Sequence, residues 1–299
     1  MTSDGVRIAH LSDFHYDGSR EVRLALNRMI GLAARGLPDV VVITGDLSAS
    51  GRPSELDDVA RALEALDPLP RLVIAGNRDL EPATGPPGDA QPLPADSDLD
   101  FFLALEPALA LGFEDESGDA GRDPATTFAE RFGPLEPSLV INGTSIVGVT
   151  TTPKLSAESL EKAAKRLRAS NAGIRVLALH HGVLPVPGRK LRAGDLVARA
   201  GDVIALGADI GIDLILHGHI HRANAWQVTA GARPLVVASA GALVNDGRRD
   251  ASYLEIVIEA GAIEVRRRSV ASGREAVLFS GSTGPSAGEA AGPSSGASR

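Results

Sequence analysis

The chain has 299 residues, 43% of them hydrophobic and 23% charged, with no cysteine and a formal net charge of −8. That composition is globular and long enough to bury one large core, and it excludes disulfides and thiolate metal sites. An acidic balance with only 3% aromatic residues argues against nucleic acid, which calls for a basic footprint and, on single strands, stacking platforms.

Met1 to Gly5 has neither the basic region nor the apolar stretch of a signal peptide, and no run reaches the roughly 18 apolar residues of a membrane span. A cytoplasmic location is therefore expected. Val6 to Ser12 reads as a strand that runs into Asp13-Phe14-His15. Val22, Leu26, Met29, Ile30 and Ala33 recur at helical spacing, and Gly36 with Pro38 closes that helix. Val40 to Ile43 is an unbroken β-branched run, the mark of a strand buried on both faces, and it ends in Thr44-Gly45-Asp46. Leu56, Val59, Leu63 and Leu66 predict a second helix, stopped by Pro68. Arg71 to Ala75 predicts a third strand, leading into Gly76-Asn77-Arg78-Asp79. Strand alternating with helix is the rhythm of a parallel α/β sheet.

The stretch 79–137 breaks that rhythm. It carries 14 acidic residues against Arg122 and Arg131, a net of −12, so a total of −8 leaves +4 on the rest of the chain. It reads as an acidic, Pro-rich insert or lid with one helical patch at Leu99 to Leu111. Leu139 to Ile141, Asn142-Gly143 and Thr144 to Val149 read as a hairpin, since Asn-Gly suits a type I′ turn. Leu160, Ala163, Ala164 and Leu167 predict a helix. Ile174 to Leu179 predicts a strand ending at His180-His181, and Asp195 to Leu206 a helix. Leu214 to Leu216 is a strand running into His217-Gly218-His219-Ile220-His221. Leu235 to Ala238, Tyr253 to Ile258 and Ile263 to Val265 are late strands, expected to form a second, partly antiparallel sheet. Residues 281–299 lack Val, Leu, Ile, Met and aromatics and are expected to be a disordered tail behind a domain of residues 1–280.

Five predicted strand ends finish in a hard ligand: Asp13 and His15, Asp46, Asn77, His180, and His219 with His221. In open α/β sheets that edge is where ligands bind. Each motif is weak alone; the joint pattern is strong, because six of the seven histidines lie in it or beside it and only His10 stands apart. Imidazole and carboxylate without thiolate suit manganese, iron, zinc and similar divalent ions. Asp46 can offer one oxygen to each of two cations. Such a pair, roughly 3.5–4 Å apart, clamps both oxygens of an in-line displacement and lowers the pKa of a bound water to about 7.

The order Asp-x-His, Gly-Asp, Gly-Asn-x-Asp, His, Gly-His-x-His over residues 13 to 221 resembles the calcineurin-like metallophosphoesterases. The resemblance implies a four-layer α/β fold, with two mixed sheets face to face and helices outside. It implies Asp13, His15, Asp46 and His221 around a first metal, and Asp46, Asn77, His180 and His219 around a second. It also implies a bridging hydroxide as nucleophile on a small-molecule phosphomonoester or phosphodiester. His181 is then beside the ligands or facing the substrate, His217 a buried neighbour and His10 structural.

One block departs from that family's usual Gly-Asn-His-Asp or Gly-Asn-His-Glu: here Arg78 stands at the histidine position. Arginine is no useful proton donor, since its pKa exceeds about 12, but its planar fork can pin a phosphoryl oxygen. The same tetrapeptide occurs in the branch resembling UDP-diacylglucosamine pyrophosphohydrolases. The substitution motivates a rival expectation, a catalytically retired binding or scaffold protein, as a retromer subunit with this fold is; a third, a metallo-nuclease, is disfavoured by the acidic balance and scarce aromatics. Arg189, Lys190 and Arg192 read as solvated surface rather than an anion contact, and Arg266 to Arg268 as a charged sheet edge.

Overall fold

The computed structural model describes residues 5–81, 122–229, 233–243, 251–259 and 261–282. The expected helical patch at Leu99 to Leu111 and residues 283–299 of the expected tail lie outside them, while residues 281 and 282, also placed in that tail, belong to a strand. Strand β1 is Gly5–Leu11, followed by α1 Arg20–Arg35, β2 Val40–Thr44, α2 Pro53–Leu63, β3 Arg71–Ile74 and a single turn, α3 Asn77–Leu80. Next come α4 Pro124–Phe132, the hairpin β4 Ser138–Ile141 and β5 Thr144–Gly148, α5 Ala157–Ala169, β6 Ile174–Ala178, α6 Ala200–Ile210 and β7 Leu214–His217. The chain then runs through β8 Asn224–Thr229, β9 Pro234–Ser239, β10 Ser252–Glu259, β11 Ala262–Ser269 and β12 Glu275–Ser282.

Two six-stranded mixed sheets result. The first has the order β12-β11-β10-β1-β2-β3, with β1, β2 and β3 mutually parallel and the others antiparallel. The second has the order β4-β5-β6-β7-β9-β8, parallel from β5 to β9 and antiparallel at both edges. Strand β2 shows why the layers stack as they do. Val40 and Val42 enter the apolar layer between the sheets, where Val176, Leu214 and Leu216 of the second sheet meet them. Val41 and Ile43 point the other way, into a core shared with Leu26 and Met29 of α1 and Leu56 and Val59 of α2. On the far side, Leu177 and Ile215 pack against Leu160 and Leu167 of α5 and Val203 of α6. Burying each such side chain stabilises the fold by roughly 1.5–3 kcal/mol relative to leaving it exposed. The architecture is helix, sheet, sheet, helix, as expected.

Local signals account for most element bounds. Ser19 Oγ accepts from Val22 N at the start of α1, and Ser156 Oγ accepts from Ser159 N at the start of α5. Asn142 and Gly143 both have positive φ, 45° and 69°, as the two-residue turn requires.

Four expectations need correction. The late strands do not form one second sheet: β10 to β12 complete the first, while β8 and β9 close the second. Asp195 lies in a loop, held by Arg189, and the helix begins only at Ala200. Arg266 to Arg268 are not on an edge, because β12 covers β11; Arg266 and Arg268 instead pair with Glu264, Glu255 and Glu275. Part of 79–137 is core rather than insert: α4 buries Phe128 and Thr127 against the first sheet's helices. Among the described residues no helix is long and apolar enough to cross a membrane.

Candidate metal centre

The parallel strands β1, β2 and β3 of one sheet and β6 and β7 of the other all release their chains toward one place. The loops there are laced together by backbone bonds. Asp13 N donates to Gly45 O at 2.9 Å, His15 N to Asp46 O at 3.0 Å and Gly218 N to His180 O at 3.0 Å. Asp13, His15, Asp46, His219 and His221 all have left-handed backbone, with φ of 55°, 44°, 51°, 66° and 56°. Asp and His tolerate that region better than most residues, yet each instance costs on the order of 1–3 kcal/mol and persists only where its surroundings enforce it. Five such residues in one cluster mark a site held for its side-chain directions rather than its backbone comfort.

Two glycines let the loops approach. A Cβ on Gly218 would lie 1.9 Å from Ser12 Oγ and 2.5 Å from Asp13 Oδ2. One on Gly76 would lie 2.2 Å from Asp46 Oδ1 and 2.3 Å from Asp46 N. Both are close backbone approaches that only glycine permits.

Two sets of ligand atoms converge, Asp13, His15 and His221 in one and Asp46, His180 and His219 in the other. Asp46 faces both. Its Oδ2 is 3.8 Å from His15 Nε2, while its Oδ1 is 3.4 Å from His180 Nε2. Asp13 Oδ1 lies 3.4 Å from His221 Nε2 and 3.8 Å from His15 Nε2, and the two imidazole nitrogens are 2.8 Å apart. On the other side, Asn77 Oδ1 is 3.2 Å and His219 Nδ1 3.3 Å from His180 Nε2.

The donor set fits a divalent cation on each side. His180 Nδ1 lies 2.6 Å from Thr44 O. A carbonyl can only accept, so Nδ1 carries a proton, and Nε2 faces Asp46 Oδ1 and Asn77 Oδ1. Those oxygens call for positive charge at Nε2, which a second ring proton or a cation in its place supplies. A carbonyl behind a ligating imidazole is also the usual way such a ring is oriented on a metal.

The protonation states agree. Burial opposes ionisation of Asp13, but the hydrogen bond and charge of His221, with His180, outweigh it and hold the carboxyl well below the ordinary range. Burial likewise opposes Asp46, and His180 and His15 again win. Burial and the neighbouring His221 lower His15 to about 4. Burial followed by His180 and His181 holds His219 well below the usual imidazole value. His180 is the exception: burial is overcome by the Asp46 charge and raises it to about 9. Ionised carboxylates attract a positive charge to that position, where a cation competes with the proton.

Asp79 is the positioning residue that sequence reasoning left without a role. It is fully buried and accepts from Leu47 N at 3.2 Å, Ser48 N at 2.9 Å, Ser48 Oγ at 2.8 Å and Gly76 N at 2.9 Å. It thereby ties the Asp46 loop to the Asn77 loop. Burial and then the Asp46 charge push its carboxyl up to about 6. Its place at the end of Gly-Asn-x-Asp was the available signal.

The remaining candidates sort as follows. Arg78 donates its backbone N–H to Asp46 Oδ1 at 2.9 Å, while its side chain is exposed and its charge is felt at His15. His217 is fully buried, with Nδ1 3.1 Å from Gly218 O and its ring stacked on Trp226 at 6.3 Å, outside both sets. His10 lies between the sheets with Nε2 2.9 Å from Thr44 Oγ1. Arg189 pairs with Asp195 at 2.8 Å and donates to Ile220 O at 3.2 Å, whereas Lys190 and Arg192 are exposed.

A family profile described as calcineurin-like phosphoesterase matches residues 6–223. The fold is similar to that of a purple acid phosphatase from yellow lupin (Lupinus luteus) seeds, with a TM-score of 0.63 at 17% identity over 94% of this chain and 54% of that one. This chain thus spans about half the length of the lupin protein. A dimetal phosphatase from Danio rerio gives a TM-score of 0.59 at 11% identity, over 93% of this chain and 99% of that one. GAP50, described as the anchor in the inner membrane complex of Plasmodium, gives 0.55 at 12% identity, over 94% and 89%. At these identities the likeness is one of fold. No curated protein matches the chain.

Proposed function

The chain belongs to the calcineurin-like phosphoesterase family, and from that premise we propose that it hydrolyses a phosphomonoester or phosphodiester of a small molecule with two divalent cations, such as manganese, iron or zinc. The observation that carries the proposal is Asp46, which turns one carboxylate oxygen toward each of two converging ligand sets. Asp13, His15, Asp46 and His221 would hold one cation, and Asp46, Asn77, His180 and His219 the other. When bound, such a pair supplies Lewis acidity to a phosphoryl oxygen and acidifies the attacking water to a pKa of about 7. The chain's own groups do the rest. Ionised Asp13 and Asp46 offset half of the +4 charge of the two cations, and Thr44 O and Asp79 keep His180 and Asp46 directed. Arg78, at the rim, pins an oxygen of the phosphoryl group through its fork and contributes no proton.

The test is metal analysis of the purified protein with hydrolysis of p-nitrophenyl phosphate and its bis-ester in added manganese. Two cations per chain and turnover abolished in Asp46→Asn are expected; a metal-free protein inert with every divalent ion would overturn the proposal. The same variant decides the rival scaffold reading, which the arginine at position 78 favours. A scaffold would show no turnover and would bind its partner equally well with Asp46→Asn. Cyclic nucleotides and nucleotide-linked pyrophosphates are the first substrates to screen. In that screen Arg78→Ala is expected to lose activity and Arg78→His to keep part of it.

A further inference from the structure

His181 follows His180 in the chain, but its ring lies outside both ligand sets. Its centroid is 4.4 Å from that of His219 and 5.1 Å from that of His180, so it flanks the second set. Its Nδ1 lies 2.7 Å from Thr151 Oγ1, and its own backbone N–H donates to the same oxygen at 3.3 Å. Thr151 is 3% exposed, and among the described residues its hydroxyl meets no other partner. Among the described residues Nδ1 is the one acceptor offered to the hydroxyl proton, and donating it there while Oγ1 accepts from the His181 backbone leaves that proton paired. In that arrangement the ring proton sits on Nε2. That atom makes no hydrogen bond among the described residues and is not among the buried atoms left without a partner. It is therefore an open N–H beside His219.

Resting on the phosphoesterase reading, we propose that His181 is a substrate-contacting residue whose Nε2–H donates to a non-bridging oxygen of the bound phosphoryl group, with Thr151 as the positioning residue that locks the tautomer. A donor directed where charge develops is effective because it needs no reorganisation when the substrate arrives. Without His181, the exposed Arg78 would be the one side-chain donor assigned to those oxygens.

The experiment uses the zinc-loaded full chain. His181→Ala is expected to keep its zinc and to lose about 10²-fold in kcat/KM for p-nitrophenyl phosphate, as when one oxyanion donor is removed. Thr151→Val is expected to lose about tenfold, in the range of lost outer-shell partners, and Thr151→Ser to recover it. Nitrogen-15 NMR of His181 reports the tautomer directly. An Nε2–H ring that becomes mixed in Thr151→Val, and a His181 signal that moves when inorganic phosphate is added, support the proposal. An Nδ1–H ring, or unchanged kinetics and phosphate affinity in His181→Ala, overturns it. If the wild type holds zinc yet hydrolyses no ester, the phosphoesterase reading falls. The phosphate titration then decides alone: movement at His181 keeps the donor, and none removes it.

Discussion

A methyl group on Gly76 would meet Asp46 Oδ1 at 2.2 Å, and one on Gly218 would meet Asp13 Oδ2 at 2.5 Å. Neither neighbour is free to yield. Asp46 also accepts from Arg78 N, and Asp13 accepts from His219 N at 2.9 and 3.1 Å. Gly76→Ala and Gly218→Ala are therefore expected to displace a carboxylate and weaken zinc binding by about 10- to 100-fold, read by calorimetric titration. Affinities equal to wild type would mean that the close approach has no bearing on the ligands. Asp79 supports a second expectation. An amide at that position keeps one acceptor and turns a donor toward N–H groups, leaving buried donors unpaired at roughly 1–3 kcal/mol each. Asp79→Asn should lower the urea midpoint and metal occupancy together. At this scale the residue types were visible in the sequence, Asp79 included; the distances that give them roles were not.

Strand β1 carries a polar residue where the sheets meet. His10 is fully buried against Thr44, and burial, then the charge of His217, lowers its pKa from 6.5 to about 3. As pH falls the unfolded chain takes up this proton before the folded one does. The contribution of His10 is thus complete above the ordinary imidazole value and fades as pH falls from 6.5 toward 3. From about pH 7.5 to about pH 5 the wild type should lose roughly 2 kcal/mol more stability than His10→Leu, measured by urea unfolding of metal-free protein. Parallel slopes for the two proteins would exclude it. Helices α1 and α5 were legible because their apolar faces repeat every turn, and β2 because its unbroken β-branched run is buried on both faces. Helix α4 was hidden in an acidic, Pro-rich stretch, since only Phe128 and Thr127 of it are buried. Strands β8 and β12 were missed because they are edge strands with partly exposed side chains.

On the scale of the whole molecule, the candidate centre joins the two sheets. Asp13, His15, Asp46 and Asn77 come from the first and His180, His219 and His221 from the second, so a cation held among them binds the folded chain and not the unfolded one. Each site filled at about 100 times its Kd should add about 2.7 kcal/mol. Chelation should lower the thermal midpoint of the wild type, restoring zinc should raise it, and Asp46→Asn should blunt both shifts; a midpoint indifferent to metal would refute the joint site. The sequence by itself determined the α/β class, the alternating first half and the identities of the seven candidate ligands, because hydrophobic period and ligand chemistry are local properties of the chain. The tertiary structure alone decided which late strand joins which sheet, that Arg266 to Arg268 lie inside a sheet, that Asp46 turns an oxygen toward each ligand set, and that Thr151 lies against His181 Nδ1. Those depend on distances between residues up to two hundred positions apart, which only the packing of the two sheets specifies.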